Sequence, residues 1–396
     1  MRFACIGVNG KGRGDAADAA RHGDVVAICD VDDGFLAKAA MTHAKAEKFH
    51  DFRVLFDKLG KSIDAVTVST PDHTHAVASA MAMRLGKHCF TQKPLTRTIG
   101  EARRLGEIAR EKKVVTQMGN QGTASSALRK AAAAVRSGAL GEVREVHVWT
   151  NRPIWPQGLK RPPAEPVPVS LKWDLWLGPS PARPYGQGYH RRDWRGWWDF
   201  GSGALGDMAC HTFNLPFMAL DLRDPVAVEA ESSGHDRDSF PRWSVIRFTF
   251  PPRGKRGAVK VVWYDGGKKP DASLFGDEVQ EIDKAGSLIV GDKGKLYAPG
   301  DNGDRGRLLG GAKEPAVEFA RSPGHFAEFV QAIKGGKQAT SNFPDYAGPL
   351  TETILLGNLA VYAGKRIEWD ARAMTAKGVP EVETLIRPVY RKGWEL

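Results

Sequence analysis

The chain opens Arg2-Phe3-Ala4-Cys5-Ile6-Gly7-Val8-Asn9-Gly10-Lys11-Gly12-Arg13-Gly14. An apolar run enters a glycine-rich turn, and alanines at helix-compatible positions follow to His22, which reads as strand, tight turn, helix. Glycines there let the backbone turn sharply and approach a pyrophosphate, whose charge is met by the start of the next helix. The strict G-x-G-x-x-G pattern would place glycine at position 9; Asn9 stands there instead, a residue that tolerates left-handed dihedrals better than most. A second apolar run, Val25 to Cys29, closes on Asp30, about 20 residues further on, where a carboxylate can hold a ribose 2′-hydroxyl. Gly7, Asn9, Gly10, Gly12 and Asp30 are thus expected to contact a dinucleotide. A carboxylate repels a 2′-phosphate and no arginine follows in Val31-Asp32-Asp33-Gly34, so NAD is favoured over NADP.

Outward from this unit, strand and helix patterns alternate. Helices are expected at Phe35–Glu47, Arg53–Lys58, His75–Leu85 and Thr98–Glu111, with strands at Asp64–Ser69, Lys87–Phe90 and Val114–Met118. The alternation predicts an α/β Rossmann domain, a doubly wound parallel sheet over residues 1–122. After Gly122 the texture changes. Ser125 or Ser126 caps an alanine-rich helix that stops at Gly138, and Glu142–Thr150 alternates like a half-exposed strand. Nine prolines between Arg152 and Pro184 make a long surface loop. Short strands at Ser244–Phe250, Ala258–Tyr264, Ser287–Val290 and Lys295–Ala298 suggest an antiparallel sheet. Helices return at Gly324–Ile333 and Ala347–Ala363, all within a second domain, 123–396.

With 396 residues the chain is long enough for two cores. It is 42% hydrophobic and 26% charged, with no apolar run near the roughly 18 residues of a membrane span, so neither a membrane protein nor a disordered one is expected. The net charge of +11 is spread over both halves, without a basic block or a nucleic-acid signature; no nucleic-acid partner is expected. Cys5, Cys29, Cys89 and Cys210 form no metal-ligand spacing and read as reduced, buried thiols of a cytoplasmic protein. A chain trimmed of an export signal would read identically, which leaves the periplasm as the alternative.

Three motifs carry chemistry. Ser69-Thr70-Pro71-Asp72-His73-Thr74-His75 ends the third clear strand, at the sheet edge where doubly wound folds place ligands. His73 and His75 could form a metal pair with Asp207 and His211, or could be pinned to backbone while the segment caps the next helix; no metal is expected. Thr91-Gln92-Lys93-Pro94-Leu95 ends the next strand on the same edge. Gly203 to His211 predicts a helix on which Asp207 and His211, four apart, share a face; a carboxylate beside an imidazole raises its pKa toward that of a general base.

Together the Rossmann glycines, T-P-D-H-x-H, G-K-H-x-x-x-x-K-P-L and G-x-G-A-L-x-D-x-x-x-H resemble the glucose-fructose oxidoreductase, inositol dehydrogenase and MocA (Gfo/Idh/MocA) family along essentially the whole chain. The resemblance extends to Trp263-Tyr264-Asp265-Gly266-Gly267. It implies a second, α+β domain with an open, mostly antiparallel sheet often used for homodimer or homotetramer formation, and oxidation or reduction of a sugar or cyclitol with NAD(P). It further implies Lys93, Asp207 and His211 as the catalytic set, with Lys93 and His211 holding a hydroxyl, His211 taking its proton and Asp207 orienting His211. Thr70, Pro71, His75, Gln92, Asn120 and Gln121, and Lys93 as well, are implied on the cofactor side. The residue before the lysine is commonly Glu in that family and is Gln92 here, so the lost charge is expected to alter the lysine or its nicotinamide contacts.

Seven of the 11 tryptophans, Trp149, Trp155, Trp173, Trp176, Trp194, Trp197 and Trp198, fall between 149 and 198, interleaved with Arg191, Arg192 and Arg195. Aromatic faces suit the C–H faces of sugar rings and guanidiniums suit hydroxyl pairs or carboxylates. Arg195, Trp198 and Tyr189 are the expected substrate contacts, although single tryptophans of such a loop commonly just pack it down. Two other functions compete with the dehydrogenase. A redox-neutral glycosidase would oxidise a ring hydroxyl, eliminate the aglycone and return the hydride. A sugar-sensing scaffold would bind without turnover, and the intact Lys93, Asp207 and His211 set argues against it.

Overall fold

A computed structural model describes all residues, Met1–Leu396. The opening run forms β1 (Arg2–Ile6), followed by β2 (Asp24–Cys29), β3 (Glu47–Phe49), β4 (Ala65–Val68), β5 (His88–Thr91) and β6 (Thr116–Met118). All six pair in parallel in the order β3-β2-β1-β4-β5-β6, the doubly wound order, with its reversal between β1 and β4. Alternation along β1 divides its side chains between two layers. Phe3 and Cys5 pack on one face, Ala4 and Ile6 on the other, all at most 2% exposed. β3 differs from the sequence expectation, which carried helix through Glu47. The helix stops at Thr42, and Glu47-Lys48-Phe49 is too short and too polar for periodicity to reveal.

The second sheet is mixed and has nine strands: β7 (Val143–Trp149), β8 (Ala227–Ser232), β9 (Ser244–Phe250), β10 (Val259–Tyr264), β11 (Gly286–Gly291), β12 (Gly294–Pro299), β13 (Arg307–Leu309), β14 (Ile367–Asp370) and β15 (Thr375–Ala376). Its order is β13-β12-β11-β7-β10-β9-β8-β14-β15. Only β7 with β10 is parallel; the other pairs are antiparallel. β7 is an interior strand rather than a half-exposed one, with Val146, Val148 and Trp149 fully buried. The helices Gly203–Thr212 and Gly348–Ala363 lie against this sheet.

The two halves are interlocked. The helix His325–Ile333 returns to the first sheet, where Phe326, Phe329 and Val330 pack on Phe3, Cys5 and Phe90. Burying each phenylalanine is worth about 1.5–3 kcal/mol. The proline-rich segment is ordered against the first half and contains a short helix, Trp173–Leu177. No helix is long and apolar enough to cross a membrane.

Candidate active site

A cavity of about 660 Å³ lies above the carboxyl ends of β1, β2, β4 and β5, with its other walls supplied by Arg152–Trp155, His190–Arg195 and the helix Gly203–Thr212. Gly7, Asn9, Gly10, Asp30, Thr70, Pro71, Gln92, Lys93, Gln121, Arg195, Asp207 and His211 all line it. Residues more than 200 positions apart in the chain are thereby brought to one place.

The glycine turn is built for close approach. Gly7 has φ +78°, and a Cβ there would lie 2.6 Å from the Ser69 carbonyl oxygen; at Gly12 it would lie 2.1 Å from the Gly7 oxygen. Gly12 therefore serves helix–strand packing and does not face the cavity. The left-handed positions are Gly7 and Gly10, not position 9, so Asn9 replaces the expected glycine without strain. The helix Lys11–His22 starts at Gly10 with no side-chain cap, leaving first-turn N–H groups to meet an anion. Asp30 accepts from the Val8 and Asp32 N–H groups at 3.0 and 3.1 Å. Burial nevertheless pushes its carboxyl up to about 6. Turn, helix start and carboxylate together fit the pyrophosphate and ribose of a dinucleotide.

Gln92 gains a physical reason. Its Nε2 donates to Asp15 Oδ2 at 2.8 Å, and Asp15, fully buried, also accepts from Lys11 Nζ at 2.7 Å and Ser69 Oγ at 2.8 Å. The negative charge expected at position 92 is present next door, on Asp15. A glutamate at 92 would set two carboxylates in contact.

Across the cavity, Lys93 Nζ donates to Asp207 Oδ1 and to the Asp207 carbonyl oxygen, both at 2.8 Å, and Arg195 Nε donates to the same Oδ1 at 3.0 Å. Burial would raise the Asp207 carboxyl, but the two cations outweigh it and hold it well below the usual carboxylate range. The expected Asp207–His211 pair does not form. Asp207 is engaged by Lys93 and Arg195, and the His211 ring makes no hydrogen bond to any protein group; its Nδ1 is buried and unpartnered. Burial first, and then the Lys93 charge, lower His211 to about 3 rather than raising it. It is a neutral imidazole at the cavity wall.

Several expected residues lie behind the wall. His75 places Nδ1 2.9 Å from the Pro94 oxygen and Nε2 2.8 Å from the Thr70 oxygen, while His73 sits against the Phe200 and Trp176 oxygens. Both rings are pinned to backbone, and neither is free to ligate an ion. Asn120 is fully buried and accepts from Ser341 Oγ at 2.5 Å. Trp198 and Tyr189 do not face the cavity. Trp198 stacks on Phe240 with ring centroids 3.7 Å apart, and Tyr189 packs between Trp197 and Phe200. Broad aromatic surface is worth more in these cores than exposed to water. Of the seven clustered tryptophans, Trp155, Trp176 and Trp194 reach the cavity.

Sequence reasoning passed over Asp72, although the T-P-D-H motif contains it. It lines the cavity and accepts from Ser202 Oγ at 2.6 Å, linking the first domain to the residue that precedes the helix of Asp207 and His211. Burial, opposed by that bond and by the Arg195 charge, pushes Asp72 up to about 7. Arg152, paired with Asp301 at 3.2 Å, also lines the cavity and had no local signal.

Residues 1–120 match the model described as oxidoreductase family, NAD-binding Rossmann fold, and residues 126–396 match oxidoreductase family, C-terminal alpha/beta domain. Levoglucosan dehydrogenase of Pseudarthrobacter phenanthrenivorans is 24% identical over 188 residues, 48% of this chain and 40% of that protein. UDP-N-acetylglucosamine 3-dehydrogenase of Acidithiobacillus ferrooxidans is 32% identical over 120 residues, 30% of this chain and 37% of that protein. The matches thus span about two fifths of these relatives. The solved WlbA dehydrogenase of Bordetella pertussis, in complex with NADH and UDP-GlcNAcA, superposes with a TM-score of 0.66 at 17% identity, over 93% of this chain and 99% of that one. At that identity it shows the shared fold.

Proposed function

Because the chain belongs to the Gfo/Idh/MocA oxidoreductase family, we propose that it moves a hydride between NAD and a hydroxyl-bearing ring carbon of a sugar or cyclitol. The observation that carries this reading is the meeting of Lys93, Arg195, Asp207 and His211 with the dinucleotide turn in one cavity. Relatives named as dehydrogenases of levoglucosan and of UDP-N-acetylglucosamine support the substrate class.

Bound NAD supplies the hydride acceptor. The protein does the rest. Lys93, fixed by its two bonds to Asp207, presents its remaining N–H toward the substrate hydroxyl and favours its oxygen as the proton leaves. His211, neutral and with Nε2 as its accessible nitrogen, accepts that proton. Asp207 acts as a positioning residue for Lys93 and Arg195 rather than for the imidazole. Arg195, over the Trp194 ring at 4.2 Å, offers guanidinium N–H groups, and Trp155 and Trp194 offer ring faces to a carbohydrate.

The test is a panel of sugars and cyclitols incubated with protein and NAD, following reduced nicotinamide. Formation with at least one cyclic polyol, abolished in Lys93→Met, supports the reading; binding of NAD without reduction by any polyol, and without reoxidation of NADH by any keto-sugar, overturns it.

A further inference from the structure

Residues of the second domain line the dinucleotide groove beyond Asp30. Asp30 marks the ribose position, and immediately after it the chain pairs with the proline-rich segment. The Asp33 N–H donates to the Ser170 oxygen and the Lys172 N–H to the Val31 oxygen, both at 2.9 Å, around a bridge between Asp32 and Leu171. An ion pair and a hydrogen bond flank this bridge: Lys172 Nζ meets Asp33 at 3.1 Å, and His190, its imidazole pushed down by burial, places Nε2 3.0 Å from Asp32 Oδ2. Trp176 and His190 thereby join Phe35 as cavity walls beyond Asp30.

Two further features mark the segment as held in place. Arg391, from the tail, donates Nε to the Gly178 oxygen at 2.7 Å and Nη1 and Nη2 to Asp174 at 2.7 and 2.8 Å, tying down the short helix that carries Trp176. Arg191, beside His190, has φ +74°, a left-handed conformation that costs a side-chain-bearing residue about 1 kcal/mol or more and persists where surroundings enforce it. Its guanidinium lies 6.0 Å over the Phe35 ring, at the same end of the cavity.

We propose that Ser170–Trp176 and His190–Arg191 form a clasp that completes the adenosine site across the two domains and makes NAD a slowly exchanging resident of the protein. This rests on the reading that the groove binds NAD. Departure of the adenosine requires the Asp32–Leu171 bridge and the Lys172 and His190 contacts that flank it to part, and entry requires the same opening.

The test uses the full chain loaded with NADH and chased with excess NAD, following nicotinamide fluorescence. Wild-type release is expected over minutes. Lys172→Gln with His190→Gln, and separately Arg391→Gln, should speed release about tenfold, the effect of 1.4 kcal/mol in the barrier, and should speed association as well. Loss of a simple contact would speed release alone, so unchanged association with faster release overturns the clasp. Equal, rapid exchange in wild type and variants also overturns it, and leaves the proposed reaction standing. Absence of any NADH binding by the wild type overturns both. Circular dichroism and the wild-type melting transition identify any variant that fails to fold, in which case the Arg391 variant decides.

Discussion

Lys93, at the end of a strand in the first domain, bonds Asp207 of the second domain twice, through carboxylate and main-chain oxygen, each at 2.8 Å. The Lys93 side chain is 16% exposed and that of Asp207 14%, so solvent screens the pair little, and withdrawal of the ammonium would leave the buried Asp207 carboxylate to Arg195 alone.

Lys93→Met should therefore abolish turnover, by on the order of 10²–10⁴ as for other positioned acid–base groups, while NAD affinity changes within about threefold. His211→Asn should do the same. Steady-state kinetics beside NAD titration separates the two effects, and weakened NAD binding with unchanged turnover would contradict both roles.

Asp207→Asn removes the counter-charge shared by Lys93 and Arg195. Breaking a buried pair from one side costs about 3 kcal/mol or more, so the denaturant midpoint should fall measurably and kcat should drop although His211 is untouched. Because the folded carboxyl titrates below its ordinary 3.8, the stabilisation is fully present above that value and is lost as the pH falls through the folded pKa. The variant's deficit should be constant from pH 5 upward.

The acid limb of activity should belong to Asp72, not to a histidine. His211 stays neutral down to about pH 3, whereas Asp72 ionises near 7 beside Arg195, Asp207 and Lys93. A limb near pH 7 in kcat/KM is expected for the wild type and should vanish in Asp72→Asn. The same carboxyl, titrating near 7 when folded and 3.8 when free, weakens the fold as pH rises between those values, by about 1.4 kcal/mol per unit. Melting curves of Asp72→Asn should accordingly gain on the wild type from pH 5 to pH 8.

Gln92→Glu places a second carboxylate against Asp15. It should destabilise the fold by about 1–3 kcal/mol and be relieved by Asp15→Asn, a coupling that a double-mutant cycle in denaturant measures. Additive effects would show that the 2.8 Å contact carries no such charge relationship.

Local chemistry made the first domain readable. Buried strands such as Ala65–Val68 and the turn at Gly7 are signalled by neighbouring residues, and the site lies where those strands end. What escaped is non-local. Ala227–Ser232 and Ile367–Asp370 are strands near one edge of the second sheet; the first alternates weakly, and the second alternates over only four residues. Lys93, Asp207 and His211 were legible by motif, but their pairing was not: four-residue spacing brings Asp207 and His211 to one helix face, and only the arrival of Lys93 and Arg195 decides which neighbour Asp207 engages. Trp198 and Trp194 are alike in sequence context; Phe240, 42 positions after Trp198, draws that ring into the core, while Trp194 stays at the cavity.

The central claim is hydride transfer from a ring carbon to the nicotinamide. Its most direct test is to supply an active polyol carrying deuterium at the carbon to be oxidised and to recover the nicotinamide from the protein. Deuterium on the reduced ring, with a slowed rate for the labelled compound in a single turnover, is the predicted result. Reduced nicotinamide free of deuterium, or turnover with no transfer to the ring at all, would contradict it.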